Sequence, residues 1–208
     1  QYNIALGVTA LDAITTGDGN VAIGYNAGTA VDVGADNVFV GKEAGEANTS
    51  GLYNIAVGSH ALETNIDGDG NVAIGYQALQ TFEPDDGGSY NVAIGYQAGQ
   101  AVSTAEVNTI VGAFAGDGGM TGGGNSLFGY RAGSAFTSGA SNVAIGNDAL
   151  KNDTTGYYQV AIGAGALQNQ NLTGDVGSYT VAIGYRAGYN SSTATLNTIV
   201  GGQAGLAL

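Results

Sequence analysis

The chain has 208 residues, 38 of them Gly, with one Pro, no Cys and no Trp, and 17 acidic residues against 4 basic ones set its formal charge at −13. Repulsion from phosphate excludes nucleic acid and anionic membrane surfaces as partners, and the lack of cysteine excludes a disulfide framework or a thiolate-held metal. No apolar run approaches the roughly 18 residues of a membrane helix, so no membrane insertion is expected. Apolar content drawn mostly from Ala, Val and Ile implies a thin core.

In chain order the same short word returns. It reads "NIALG" from Asn3, "NVAIG" from Asn20, "NVFVG" from Asn37, "NIAVG" from Asn54, and "NVAIG" again from Asn71 and Asn91. It continues as "NTIVG" from Asn108, "NSLFG" from Asn125, "NVAIG" from Asn142, "QVAIG" from Gln159, "TVAIG" from Thr180 and "NTIVG" from Asn197. The spacing is 17 residues except after Asn71, where it is 20, and after Gln159, where it is 21.

Four residues after each anchor stands a glycine: Gly7, Gly24, Gly41, Gly58, Gly75, Gly95, Gly112, Gly129, Gly146, Gly163, Gly184 and Gly201. Three further on stands an alanine: Ala10, Ala27, Ala44, Ala61, Ala78, Ala98, Ala115, Ala132, Ala149, Ala166, Ala187 and Ala204. A glycine that recurs in every copy marks a backbone turn or close approach, and the alanine marks a place where nothing larger fits, so the pair predicts a tight structural corner. Between anchor and glycine, Val and Ile alternate with Ala, which is strand periodicity. The rest of each copy is rich in Gly, Asp, Asn, Thr and Ser, which are turn formers and poor helix formers. A strand, a corner, a second extended piece and a polar turn make one coil of an all-β parallel β-solenoid, here a single domain of twelve coils with almost no helix. Stacked coils align their anchors in a column, where Asn amides pass hydrogen bonds from coil to coil.

The "NVAIG" words at 20–24, 71–75, 91–95 and 142–146, with variants at every other anchor, resemble the head repeats of YadA-like trimeric autotransporter adhesins and the similar repeats of bacteriophage tail fibres. The resemblance implies a left-handed parallel β-roll that associates side by side in threes. It implies an attachment role at a cell surface or on a virion, outside the cell, with a surface glycan or protein as receptor. Here the repeat is 17 residues, longer than the adhesin repeat.

The residues themselves point to self-association. In the third, seventh, eighth and twelfth copies the middle strand residue is Phe39, Ile110, Leu127 or Ile199 in place of Ala. With Val and Ile taken as the core face, this bulk lies outside and predicts an interface with another protomer, the alternative being cover by the chain's own loops. The ends carry no capping segment, which suggests either a piece cut from a longer fibre or end-to-end stacking into a filament by strand addition. The two long copies predict protruding loops, with Phe82, Glu83, Pro84, Asp85 and Asp86 in the first and Asn169, Asn171, Leu172 and Asp175 in the second.

Catalytic signatures are weak. The single histidine, His60, occupies a column otherwise filled by unrelated residues and reads as solvated surface; no Ser or Cys partner completes a triad, and the acids form no matched pair. The expectation is therefore a non-enzymatic fibre module without cofactor, with a carbohydrate-active β-helix enzyme as the competing class. "DGDGN" offers a weak calcium candidate in Asp67, Asp69 and Asn71, but Val72 stands where a calcium loop has glycine.

Overall fold

A computed structural model of the chain describes residues 2–84, 88–174 and 177–206. Twelve three-residue strands follow the twelve anchors. They are β1 (Ile4–Leu6), β2 (Val21–Ile23), β3 (Val38–Val40), β4 (Ile55–Val57), β5 (Val72–Ile74) and β6 (Val92–Ile94). They continue as β7 (Thr109–Val111), β8 (Ser126–Phe128), β9 (Val143–Ile145), β10 (Val160–Ile162), β11 (Val181–Ile183) and β12 (Thr198–Val200). They form one parallel sheet in sequence order, and no helix occurs among the described residues. The chain is a β-solenoid in which each lap of backbone is a rung of one stack.

Register follows the word. Val21 pairs with Val38 and Val143 with Val160. The longer laps keep it too, since Val72 pairs with Val92 and Val160 with Val181. The extra residues leave the stack and return, their rejoining points marked by the bridges Asp69–Gly88 and Tyr157–Gly177.

The glycine that closes each strand has φ between 130° and 147° in all twelve rungs. A Cβ on Gly129 would lie 2.6 Å from the carbonyl oxygen of Gly146 in the next rung. Both φ and the neighbouring carbonyl therefore forbid a side chain there. The alanine three residues on is fully buried from Ala27 through Ala187.

The anchors close each lap. Asn37 N–H donates to Asn20 Oδ1 at 3.0 Å, Asn54 N–H to Asn37 Oδ1 at 2.8 Å, and the relay continues to Gln159 N–H on Asn142 Oδ1 at 3.0 Å. The Nδ2 groups cross the lap: that of Asn20 donates to Gly34 O at 2.8 Å and that of Asn142 to Gly156 O at 2.7 Å. Buried amides in an apolar interior are tolerable only when bonded in this way.

The orientation of the strands corrects the sequence reading. The middle residue points inward: Ala22, Ala56, Ala73, Ala93, Ala144, Ala161 and Ala182 are fully buried. Phe39, Ile110 and Leu127 are also fully buried and Ile199 is 6% exposed, so they are core residues and no interface. The reason is volume. Where the middle residue is large, the residue eight after the anchor is glycine, and a Cβ there would meet the large side chain of the same rung: Gly45 faces Phe39, Gly116 faces Ile110 and Gly133 faces Leu127. Where that residue is Leu11, Leu62, Leu79, Leu150 or Leu167, the middle residue is Ala.

Three residues assigned to protruding loops, Phe82, Pro84 and Leu172, are corrected as well. Phe82 is fully buried and Leu172 is 3% exposed, so each pins the stem of its insertion to the core. Glu83 is half-buried, Pro84 buried, Asn169 half-buried and Asn171 exposed. Asp85, Asp86 and Asp175 lie outside the described residues.

Candidate functional site

With the middle residue inside, the first and third residues of every strand form two outward columns. The first column reads Ile4, Val21, Val38, Ile55, Val72, Val92, Thr109, Ser126, Val143, Val160, Val181, Thr198; the third reads Leu6, Ile23, Val40, Val57, Ile74, Ile94, Val111, Phe128, Ile145, Ile162, Ile183, Val200. Neither contains a charged residue. The third column is the more open, with Ile23, Ile74, Ile94, Ile145 and Ile183 each 37–39% exposed.

Tyrosines border the columns on both sides. Tyr53, Tyr90, Tyr158 and Tyr179 precede their anchors, and Tyr25, Tyr76, Tyr96, Tyr130 and Tyr185 follow the corner glycines; all nine are exposed. Neighbouring rings stack, with centroids 5.3 Å apart for Tyr76–Tyr96 and again for Tyr158–Tyr179. The only charged residues at these border positions are Asp36 and Lys42. A chain of charge −13 has thus kept its charge off one long strip and concentrated large apolar side chains there. Such a patch is the usual mark of an interaction surface.

No family model, no curated protein and no solved structure matches this chain.

The remaining candidates fall elsewhere. Asn71 is buried in the anchor relay, its Oδ1 accepting from Asn91 N–H at 3.0 Å, while Asp69 Oδ1 accepts from Leu52 N–H at 2.7 Å. Both are committed to the scaffold, and Asp67 keeps a buried Oδ1 without a partner. His60 is not solvated surface: its side chain is 20% exposed and its Nδ1 lies 3.0 Å from Glu43 Oε2 and 3.1 Å from Glu63 Oε2. The signal in the sequence was arithmetic, since positions 43 and 60 differ by one 17-residue lap.

A second polar cluster sits where the anchor relay changes residue type. Asp153 is fully buried, accepting from Leu172 N–H at 3.1 Å and from Gln159 Nε2–H. Burial raises its carboxyl above the usual carboxylate range, against the lowering effect of those hydrogen bonds. Burial likewise raises Glu83 and Asp117. Two open clefts are lined by Thr104, Glu106, Thr121 and Ser141, and by Leu172, Thr173, Thr193 and Thr195; neither lining contains a histidine.

Proposed function

We propose that this chain is a structural and adhesive fibre module, working outside the cell or on a virion, and that copies associate laterally through the outward columns. The observation that carries the reading is the charge-free apolar strip. Twelve strands about 4.8 Å apart give it a length on the order of 55 Å, and a width of roughly 15 Å makes its area on the order of 800 Å², the share each partner gives to a standard stable interface. A second copy is the partner favoured by period. Its rungs repeat at the same spacing, so side chains interdigitate along the whole length, and the two strand columns of neither copy bring charge to the contact. The resemblance of the "NVAIG" words to adhesin and tail-fibre head repeats agrees with side-by-side association. In this reading the insertions, with exposed Asn171 and half-buried Glu83, face outward for a glycan or protein receptor.

Sedimentation velocity tests it. The chain should sediment as a dimer or trimer, and Ile94→Lys with Ile145→Lys, which place charges on the strip, should yield folded monomers with an unchanged circular dichroism spectrum. A wild-type chain that stays monomeric at every accessible concentration would overturn lateral association. Continuous fibres in negative stain that persist in the double variant would point to axial stacking instead.

A further inference from the structure

We infer that Glu43, His60 and Glu63 form a binding site for one divalent transition-metal ion of the zinc type, joining the third and fourth rungs. Glu43 and His60 occupy the same column, six residues after their anchors, and both have left-handed backbone, with φ of 56° and 59°. Rung-to-rung hydrogen bonds fix those backbones: Glu43 N–H donates to Tyr25 O and His60 N–H to Lys42 O, each at 2.8 Å. Glu63 follows His60 by one turn of chain, and its carbonyl accepts from Ala47 N–H at 2.9 Å. The scaffold therefore sets the three side chains before any ligand arrives.

The donor atoms surround one point. His60 Nδ1 is 3.0 Å from Glu43 Oε2 and 3.1 Å from Glu63 Oε2, and one donor atom from each of the three residues lies within 4.8 Å of the others. Metal bonds of about 2.0–2.1 Å put neighbouring ligands of one ion about 2.8–3.4 Å apart, across octahedral and tetrahedral geometries. The observed His–Glu separations fall in that range. One imidazole with two carboxylates is a donor set for zinc, cobalt or nickel, whereas calcium takes oxygen alone.

The surroundings also suit an ion. Gln80 Nε2–H donates to Glu63 Oε2 at 2.6 Å, and Gln80 Oε1 is itself held by Gln100 Nε2–H at 3.0 Å, so an outer layer of amides orients one carboxylate. Side-chain exposures of 16%, 20% and 24% for Glu43, His60 and Glu63 leave the site partly dehydrated yet reachable. Lys42 is the competing cation, 3.3 Å from Glu43 Oε2 and 3.5 Å from His60 Nε2; it is 54% exposed and free to swing away. Elsewhere in the column the pairing is different in kind: Arg131 Nε meets Asp148 Oδ1 at 2.9 Å.

Calorimetric titration with Zn²⁺, together with the visible absorption of Co²⁺, tests the site in the full chain. One ion should bind per chain. His60→Gln, Glu43→Gln and Glu63→Gln should each weaken binding by at least about tenfold, and Lys42→Met should tighten it. These glutamines are compatible with the fold, because Gln77 and Gln97 already occupy the first column and Gln80 and Gln100 the second. The inference is overturned if the wild type gives neither heat nor a Co²⁺ band, or if His60→Gln binds with unchanged affinity, which would assign the binding to scattered carboxylates.

Discussion

Rungs four and five fill their interiors differently from rungs seven and eight. In the former pair Leu62 and Leu79 reach in from the far side of the lap, opposite Ala56 and Ala73 on the strand. In the latter Ile110 and Leu127 reach in from the strand, opposite Gly116 and Gly133. Both arrangements leave the core fully buried, so in these four rungs one large side chain fills the lap while the position that supplies it changes. The choice has a backbone consequence. The far-side position is left-handed in both, with φ of 52° at Leu62 and 55° at Gly116, so the leucine rungs carry strain of roughly 1–2 kcal/mol that the glycine rungs do not.

The largest expected effect bears on what the two arrangements share, the corner glycine. Gly129→Ala should cost more than about 4 kcal/mol, because φ is 135° and the new Cβ meets Gly146 O, and the cooperative thermal transition followed by circular dichroism should be lost. Gly202→Ala, where nothing lies within 4 Å and no left-handed φ is required, is the control and should stay within about 0.5 kcal/mol of wild type.

Next comes a direct conversion of one arrangement into the other. Ile110→Ala alone should cost about 2–5 kcal/mol through the cavity it leaves. Gly116→Leu alone should cost about 1–3 kcal/mol, since its Cβ would lie 2.9 Å from Leu127 Cδ1 and 3.2 Å from Ile110 Cδ1. The double variant sets the Leu–Ala pattern of rung four within this rung and frees the new leucine from Ile110, though not from Leu127, so in denaturant melts it should recover about 1 kcal/mol relative to the sum of the singles. Strict additivity would break the volume argument.

A smaller effect is expected at the anchors. Asn108→Ala removes an acceptor for Asn125 N–H at 2.9 Å and a donor to Asn91 Oδ1 at 3.2 Å, and should cost about 2 kcal/mol in the same melts.

The smallest effect sharpens the contrast with the rung of Asp153. Its folded-state pKa is raised, so the folded protein binds that proton more tightly than the unfolded chain. The stabilisation is complete below the ordinary aspartate pKa and is lost as pH rises through the folded value. Glu83 and Asp117 act in the same direction. Melting temperature should therefore rise modestly on acidification from neutral pH, and Asp153→Asn should flatten part of that rise while changing stability at pH 7 by no more than about 1 kcal/mol.

Much of this architecture was legible in the residues. The 17-residue spacing gave the rungs, and the displaced anchors at Asn91 and Thr180 located the insertions whose stems return at Gly88 and Gly177. The inward face was not legible. Alternation in "VAI" states only that Val and Ile oppose Ala, and side-chain size favoured Val and Ile inside. The interior of a 17-residue lap is too narrow for two bulky columns from one strand, so the small residue goes in. The available clue was that a leucine at the far-side position never accompanies a large middle residue: Phe39, Ile110, Leu127 and Ile199 are each followed six positions later by glycine. The Glu43–His60–Glu63 cluster was not legible for another reason: Glu43 belongs to the copy before that of His60 and Glu63 and meets them only across one lap.

The sequence by itself determined the period, the strand in each lap, the glycine corner and the column of anchors, because each shows as a residue choice that recurs from copy to copy. Only the tertiary structure decided which strand face is buried, where Phe82 and Leu172 anchor the insertions, and which side chains from adjacent laps meet. Those outcomes follow from the space left inside a closed lap and from contacts between residues 17 or more positions apart, which no single copy of the word contains.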